Sequence, residues 1–148
     1  MSLVRAAART IDEILAAARE RLLRLTPSQA FAAVGEGAVL VDIRPASQRA
    51  VDGEVPGSWI IERNHLEWRL DPASSARLPW VTGHDHRIIV LCQEGYTSSL
   101  AAAALLDLGL SRSTDVIGGY SAWVAAGLPT APATAHAASV AAGAVHGA

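Results

Sequence analysis

Lysine is absent from this chain of 148 residues, whose 12 basic residues are all arginine, and there is one cysteine. With 14 acidic residues, a formal charge of -2 and a pI near 6.2, nothing supplies the concentrated positive charge that nucleic-acid phosphates require. The single cysteine excludes an internal disulfide, so the fold cannot depend on oxidation, and a free thiol points to a reducing, cytoplasmic setting. Long apolar runs are missing as well. No stretch approaches the ~18 residues of a membrane span, and the expectation is a soluble protein without membrane partners. Arg5 and Arg9 ahead of Asp12 hint at a targeting signal, but no continuous apolar core or cleavage-like segment follows, so an amphipathic helix is the better reading. Metal signals are weak: His84 and His86 stand two apart in a loop with no cysteine nearby, and His136 and His146 are too far apart to pair. The sequence implies no metal and no cofactor.

What remains is one domain's worth of chain in which alanine inflates the apolar fraction, while Val, Ile and Leu gather in short runs. Ile11, Ile14, Leu15, Ala18, Leu22 and Leu25 recur at helical spacing after a Thr10/Glu13 capping box, predicting a helix to about Arg24. Thr26, Pro27 and Gln29 repeat the start signal for a second helix reaching about Val34. Strands are expected at Ala38 to Ile43, Ser58 to Ile61, Arg87 to Leu91 and Asp115 to Ile117. Helices follow at Thr97 to Leu108, closed by Gly109, and at Tyr120 to Ala126, with a turn at Gly53 to Gly57 and a surface excursion from Asp71 to His86. Strands alternating with helices pair in parallel through right-handed crossovers, and the site of such a sheet lies beyond the carboxyl ends of its strands. Three regions result: an N-terminal helix over 1–25, a domain over 26–130, and an alanine-rich tail over 131–148, expected to be mobile. Asp42, a carboxylate inside an apolar run, must have partners and reads first as an anchor for loop amides.

The stretch Ile88 to Leu100, IIVLCQEGYTSSL, sets the cysteine at a strand end. A thiol reacts as its thiolate, which N–H groups or a helix N-terminus favour. If Gln93, Glu94, Gly95, Tyr96, Thr97 and Ser98 curl around the sulfur, their N–H groups point inward and the next helix adds the positive end of its dipole. Gly95 permits the tight curl, and one of the hydroxyls at Tyr96, Thr97, Ser98 and Ser99 would serve as the helix N-cap. The loop alone leaves two readings open, a reactive nucleophile or a small buried hydrophobe.

Four motifs in order, VDIRP at Val41 to Pro45, GEVPGS at Gly53 to Ser58, C-x-x-G-x-x-S at Cys92 to Ser98, and GGYSAWVAAGLPT at Gly118 to Thr130, resemble the signatures of single-domain rhodanese-like proteins. The resemblance covers roughly Thr26 to Thr130. It implies an α/β fold, a three-layer rhodanese-like sandwich with a central, mostly parallel five-stranded sheet and helices on both faces. It also implies a sulfurtransferase in which Cys92 takes a sulfane sulfur as a persulfide and passes it to cyanide, a thiol or a protein acceptor. Asp42 and Arg44 would match structural, loop-orienting groups. Many active members carry arginine five residues after the cysteine, where this chain has Thr97, and Glu94 adds negative charge, so thiosulfate should be a weak donor. Arg63 and Arg44 are the replacements to consider, against an ordinary exposed role for each. A cysteine phosphatase would need arginine where Ser98 stands, to grip phosphate with two bonds, and Ser98 and Ser99 lack the G-x-S-x-G turn of a serine hydrolase. The alternative from another class is a non-catalytic rhodanese-like module that binds or senses small sulfur species.

Overall fold

The computed structural model describes residues 7–133. Four strands make one parallel sheet: β1 (Val39–Asp42), β2 (Trp59–Ile60), β3 (Ile88–Leu91) and β4 (Thr114–Asp115), in the order β2-β1-β3-β4. β1 and β3 lie in the middle, with Val41 opposite both Trp59 and Val90, and Asp42 opposite Ile60 and Leu91. Strands covered on both faces carry continuous apolar runs, and these are the two richest in Val, Leu and Ile.

Alternate side chains go to opposite layers. Val41, Ile43, Ile88 and Val90 meet Leu66, Leu70, Ala101 and Leu105 on one face. Leu40, Ile89 and Leu91 meet Ala30, Ala33, Tyr120 and Trp123 on the other. Cys92, two residues past Val90, continues the first face. Among the described residues six α-helices complete the layers: α1 (Ile11–Glu20), α2 (Pro27–Gly35), α3 (Ala46–Asp52), α4 (Leu66–Leu70), α5 (Thr97–Asp107) and α6 (Gly119–Ala125). α2 packs on α6, and α1 lies along α5. No helix among the described residues is long and apolar enough to cross a membrane.

Both capping boxes form. Thr10 Oγ1 accepts from Glu13 N while Glu13 Oε1 takes the Thr10 N–H, and Thr26 and Gln29 repeat the exchange with Pro27 in the first turn. Hydrogen bonding of the carboxylate to the Thr10 backbone N–H first, and to its side chain second, holds the Glu13 carboxyl below its usual range. α1 stops at Glu20 rather than near Arg24. Arg21 N and Leu22 N bond back only three residues, to Ala18 O and Arg19 O, a tightened last turn that releases the chain. Leu22 then sinks into the core while Ile11 stays exposed, so only the C-terminal half of the apolar stripe is used.

The expected fifth strand is corrected to a single residue. Leu25 N donates to Asp115 O at 3.1 Å and Leu25 O accepts from Ile117 N at 2.8 Å, a one-residue parallel bridge at the β4 edge. Strand pairing cannot continue because Thr26 is already the cap of α2. The excursion from Asp71 to His86 is less superficial than expected, since Leu78 and Val81 are buried in the core. Of the tail, Ala131 bridges Glu54, with N–H to carbonyl bonds of 2.7 and 2.8 Å in the two directions. Residues from 134 onward, His136 and His146 among them, fall outside the described region.

Candidate active site

β3 delivers Cys92 to the carboxyl edge of the sheet, where the chain must reverse into α5. Cys92 is 4% exposed. Its Sγ accepts the N–H of Gly95 at 3.2 Å and that of Ser98 at 3.4 Å. α5 has no side-chain cap, contrary to the hydroxyl cap expected, and Tyr96 occupies the cap position with helical dihedrals. The sulfur therefore takes one of the N–H groups that begin the helix and have no partner within it.

Outside donors hold the loop carbonyls. Cys92 O accepts from Tyr120 N at 2.8 Å and Gln93 O from Ser121 N at 3.0 Å, both in the first turn of α6. Gly95 O accepts from Arg19 Nη2 at 2.7 Å and Arg24 Nη2 at 3.0 Å. The loop's peptides are trans, so each pinned carbonyl turns the following N–H the opposite way. Those N–H groups belong to Gln93, Glu94 and Tyr96. No acceptor among the described residues meets them or the N–H of Thr97, which leaves them available to an anion, as in a backbone nest.

Gly95 makes this curl with φ +85°, and a Cβ there would lie 2.7 Å from Gly118 N, inside backbone that cannot swing aside. Gly95→Ala is expected to cost about 1–3 kcal/mol from its left-handed conformation alone, with further loss from displaced backbone. Thermal unfolding together with the rate of Cys92 alkylation checks this, since the displaced N–H groups should leave the sulfur at the same time.

Asp115, fully buried, binds the underside of the loop. Its Oδ2 accepts from Ser98 Oγ at 2.7 Å and Ser99 Oγ at 2.8 Å, and Arg24 reaches the carboxylate through Nε at 2.9 Å and Nη2 at 3.2 Å. The two serines are therefore anchors, their hydroxyls committed to Asp115.

Asp42 and Arg44 form a second buried pair. Arg44 Nη2 lies 2.8 Å from Asp42 Oδ2 and Nε 3.1 Å from Oδ1, and the Arg44 N–H also donates to Oδ1 at 3.0 Å. The guanidinium donates onward to Gly53 O at 2.7 Å and Gln93 Oε1 at 3.0 Å, and its Cζ sits 4.0 Å from the Tyr120 ring centroid. Burial pushes the Tyr120 phenol up despite the neighbouring Arg44 charge. Arg44 is thus not the exposed arginine weighed from sequence. Arg63 bonds Glu67 Oε1 at 2.7 Å along its own helical segment, and no described contact joins it to the loop. Glu94, Tyr96 and Thr97 expose their side chains. The described residues hold no cluster suited to a metal.

The sequence reading missed Arg19, Arg24 and Asp115. Asp115 had the same signal as Asp42, a carboxylate entering a short branched run. The arginines had none, because they meet the loop across more than seventy residues of chain.

Comparison with known proteins agrees with this geometry. The rhodanese-like domain family model matches residues 26–126. The thiosulfate sulfurtransferase GlpE of Stutzerimonas stutzeri is 36% identical over 100 residues, covering 68% of this chain and 83% of that protein. Thiosulfate sulfurtransferase 16 of Arabidopsis thaliana is 48% identical over 48 residues, covering 32% of this chain and 40% of its own length. A Rhodopseudomonas palustris structure described as a protein of unknown function and possible tyrosine phosphatase superposes with TM-score 0.76 at 34% identity, covering 84% of this chain and 96% of that one.

Proposed function

The chain belongs to the rhodanese-like domain family, and from that premise we propose that it is a sulfurtransferase that carries a sulfane sulfur on Cys92. The thiosulfate sulfurtransferases among its relatives support the reaction class. The observation that carries the reading is the sulfur held by two N–H groups within a loop whose other N–H groups have no acceptor among the described residues.

In the first half-reaction the Cys92 thiolate attacks the outer sulfur of a donor such as thiosulfate. The donor S–S bond breaks, sulfite leaves with its electron pair, and a new S–S bond makes Cys92 a persulfide. In the second, cyanide or a thiolate attacks the terminal sulfur, and the Cys92 thiolate leaves with the pair. Negative charge passes between two adjacent sulfurs. The free N–H groups of Gln93, Glu94, Tyr96 and Thr97 are suited to the outer one, and their orientation is fixed before reaction, as in an anion hole. The acceptor is a small thiol, cyanide or a protein thiol, and the setting the reducing cytoplasm.

A phosphatase reading, prompted by the description of the Rhodopseudomonas structure, has less support. Ser98 stands where a phosphate-gripping guanidinium is needed, and its hydroxyl is committed to Asp115.

The test is mass spectrometry after incubation with thiosulfate, an organic persulfide and a neutral trisulfide. One sulfur adds about 32 Da, from the stoichiometry of the covalent intermediate. Localisation of that increment to Cys92 supports the reading, with thiosulfate slower than the less charged donors because Thr97 supplies no cation. If no donor loads Cys92, the site binds or senses sulfur species without turnover.

A further inference from the structure

The loop lacks an arginine of its own, yet a guanidinium reaches it from α1. Arg19 Nη2 donates to Gly95 O at 2.7 Å, its Nε donates to Ser99 Oγ at 3.1 Å, and its Cζ lies 5.7 Å from the centroid of the exposed Tyr96 ring. Arg24 reaches the same carbonyl, but Asp115 matches its charge. Arg19 has no carboxylate partner among the described residues, where Arg21, Arg24, Arg44, Arg49 and Arg63 each have one. One residue, Gly95, thus takes an unmatched positive charge on its carbonyl and gives its N–H to the reactive sulfur. Arg19 also precedes the stretch 26–126 matched by the family model.

We propose that Arg19 is a positioning residue that raises the reactivity of the Cys92 site toward anionic reagents, partly offsetting the missing loop cation, so that thiosulfate remains a usable though slower donor. It holds the Gly95 carbonyl outward, which orients the Tyr96 N–H the other way, and it sets a positive charge beside a loop that carries Glu94 and no cation. Coulomb attraction acts on the approaching reagent whether or not the guanidinium touches it, and salt weakens it. The identity of the donor as a sulfur compound rests on the sulfurtransferase reading. The electrostatic role does not.

The experiment compares alkylation of Cys92 by anionic iodoacetate and neutral iodoacetamide at one pH and low ionic strength. Both reagents consume the thiolate, so the ratio of their rates cancels the ionised fraction and reports the field met by an anion. A merely loosened loop changes both rates together. Arg19→Gln is expected to lower the iodoacetate-to-iodoacetamide ratio about three- to tenfold, and salt at about 0.5 M should remove most of the difference from the parent. Arg19→Lys, which keeps the charge, should stay within about twofold of the parent. In sulfur loading, Arg19→Gln should raise KM for thiosulfate by a similar factor while leaving a neutral trisulfide nearly unaffected. An unchanged ratio in Arg19→Gln overturns the proposal. So does an equal fall in the Gln and Lys variants, which would make bond geometry alone the cause. Because alkylation needs no sulfur transfer, the ratio reports on Arg19 even in a chain that accepts sulfur from no donor.

Discussion

Asp42→Ala is expected to cost about 3–5 kcal/mol of folding free energy, the cost of leaving one member of a buried ion pair without its partner. Both side chains are fully buried, and Arg44 would keep only Gly53 O, Gln93 Oε1 and the Tyr120 face. For a domain of about 150 residues, each kcal/mol shifts the midpoint by roughly 2–4 °C, so a fall near 10 °C should be seen. Urea unfolding gives the free energy directly. Asp42→Asn should cost less, because one amide oxygen still accepts the Arg44 N–H. The double variant Asp42→Ala/Arg44→Met should recover part of the loss by removing the stranded charge. A loss below about 1 kcal/mol for Asp42→Ala would mean that water hydrates the guanidinium, and the pair would not be the anchor assigned to it.

Cys92→Ser is expected to lower sulfur transfer at least about a thousandfold, to the background rate, since a serine hydroxyl is neither ionised at neutral pH nor able to form a persulfide. Stability should change by no more than about 1 kcal/mol, because oxygen can accept the same two N–H groups with a small closing of the loop. The pair of measurements separates chemistry from architecture. A folded Cys92→Ser protein that still transfers sulfur at a per cent or more of the parent rate would remove Cys92 from the mechanism.

Where the information is local, the sequence was a good guide. Thr10/Glu13 and Thr26/Gln29 specify helix starts within four residues, and both boxes form. The four strands lie within two residues of their expected ends because each is a compact branched run between turn signals. The fifth strand came from family resemblance, and the chain reduces it to Leu25 because a helix cap follows at once. In the site, Cys92, the loop and Asp42 could be read from position in the strand pattern. Arg44 could not be sorted between exposed and buried, since its burial depends on Gly53, Gln93 and Tyr120 converging from three elements. Arg19 and Arg24 were illegible for a similar reason. They look like the polar face of an amphipathic helix, and only the early end of α1, with the turn after it, brings both to Gly95.

The cradle around Cys92 is fastened through main-chain carbonyls at 92, 93 and 95, N–H groups at 95 and 98, and the side chains of Gln93, Ser98 and Ser99. The exposed side chains at Glu94, Tyr96 and Thr97 make none of those hydrogen bonds, Tyr96 only lying beneath the Arg19 guanidinium. Drift at those three positions can therefore alter which compound approaches while leaving the sulfur's surroundings intact, and selectivity becomes separable from shape. Substitution at Thr97 or its exposed neighbours could open the site to new substrates without first refolding the nucleophile.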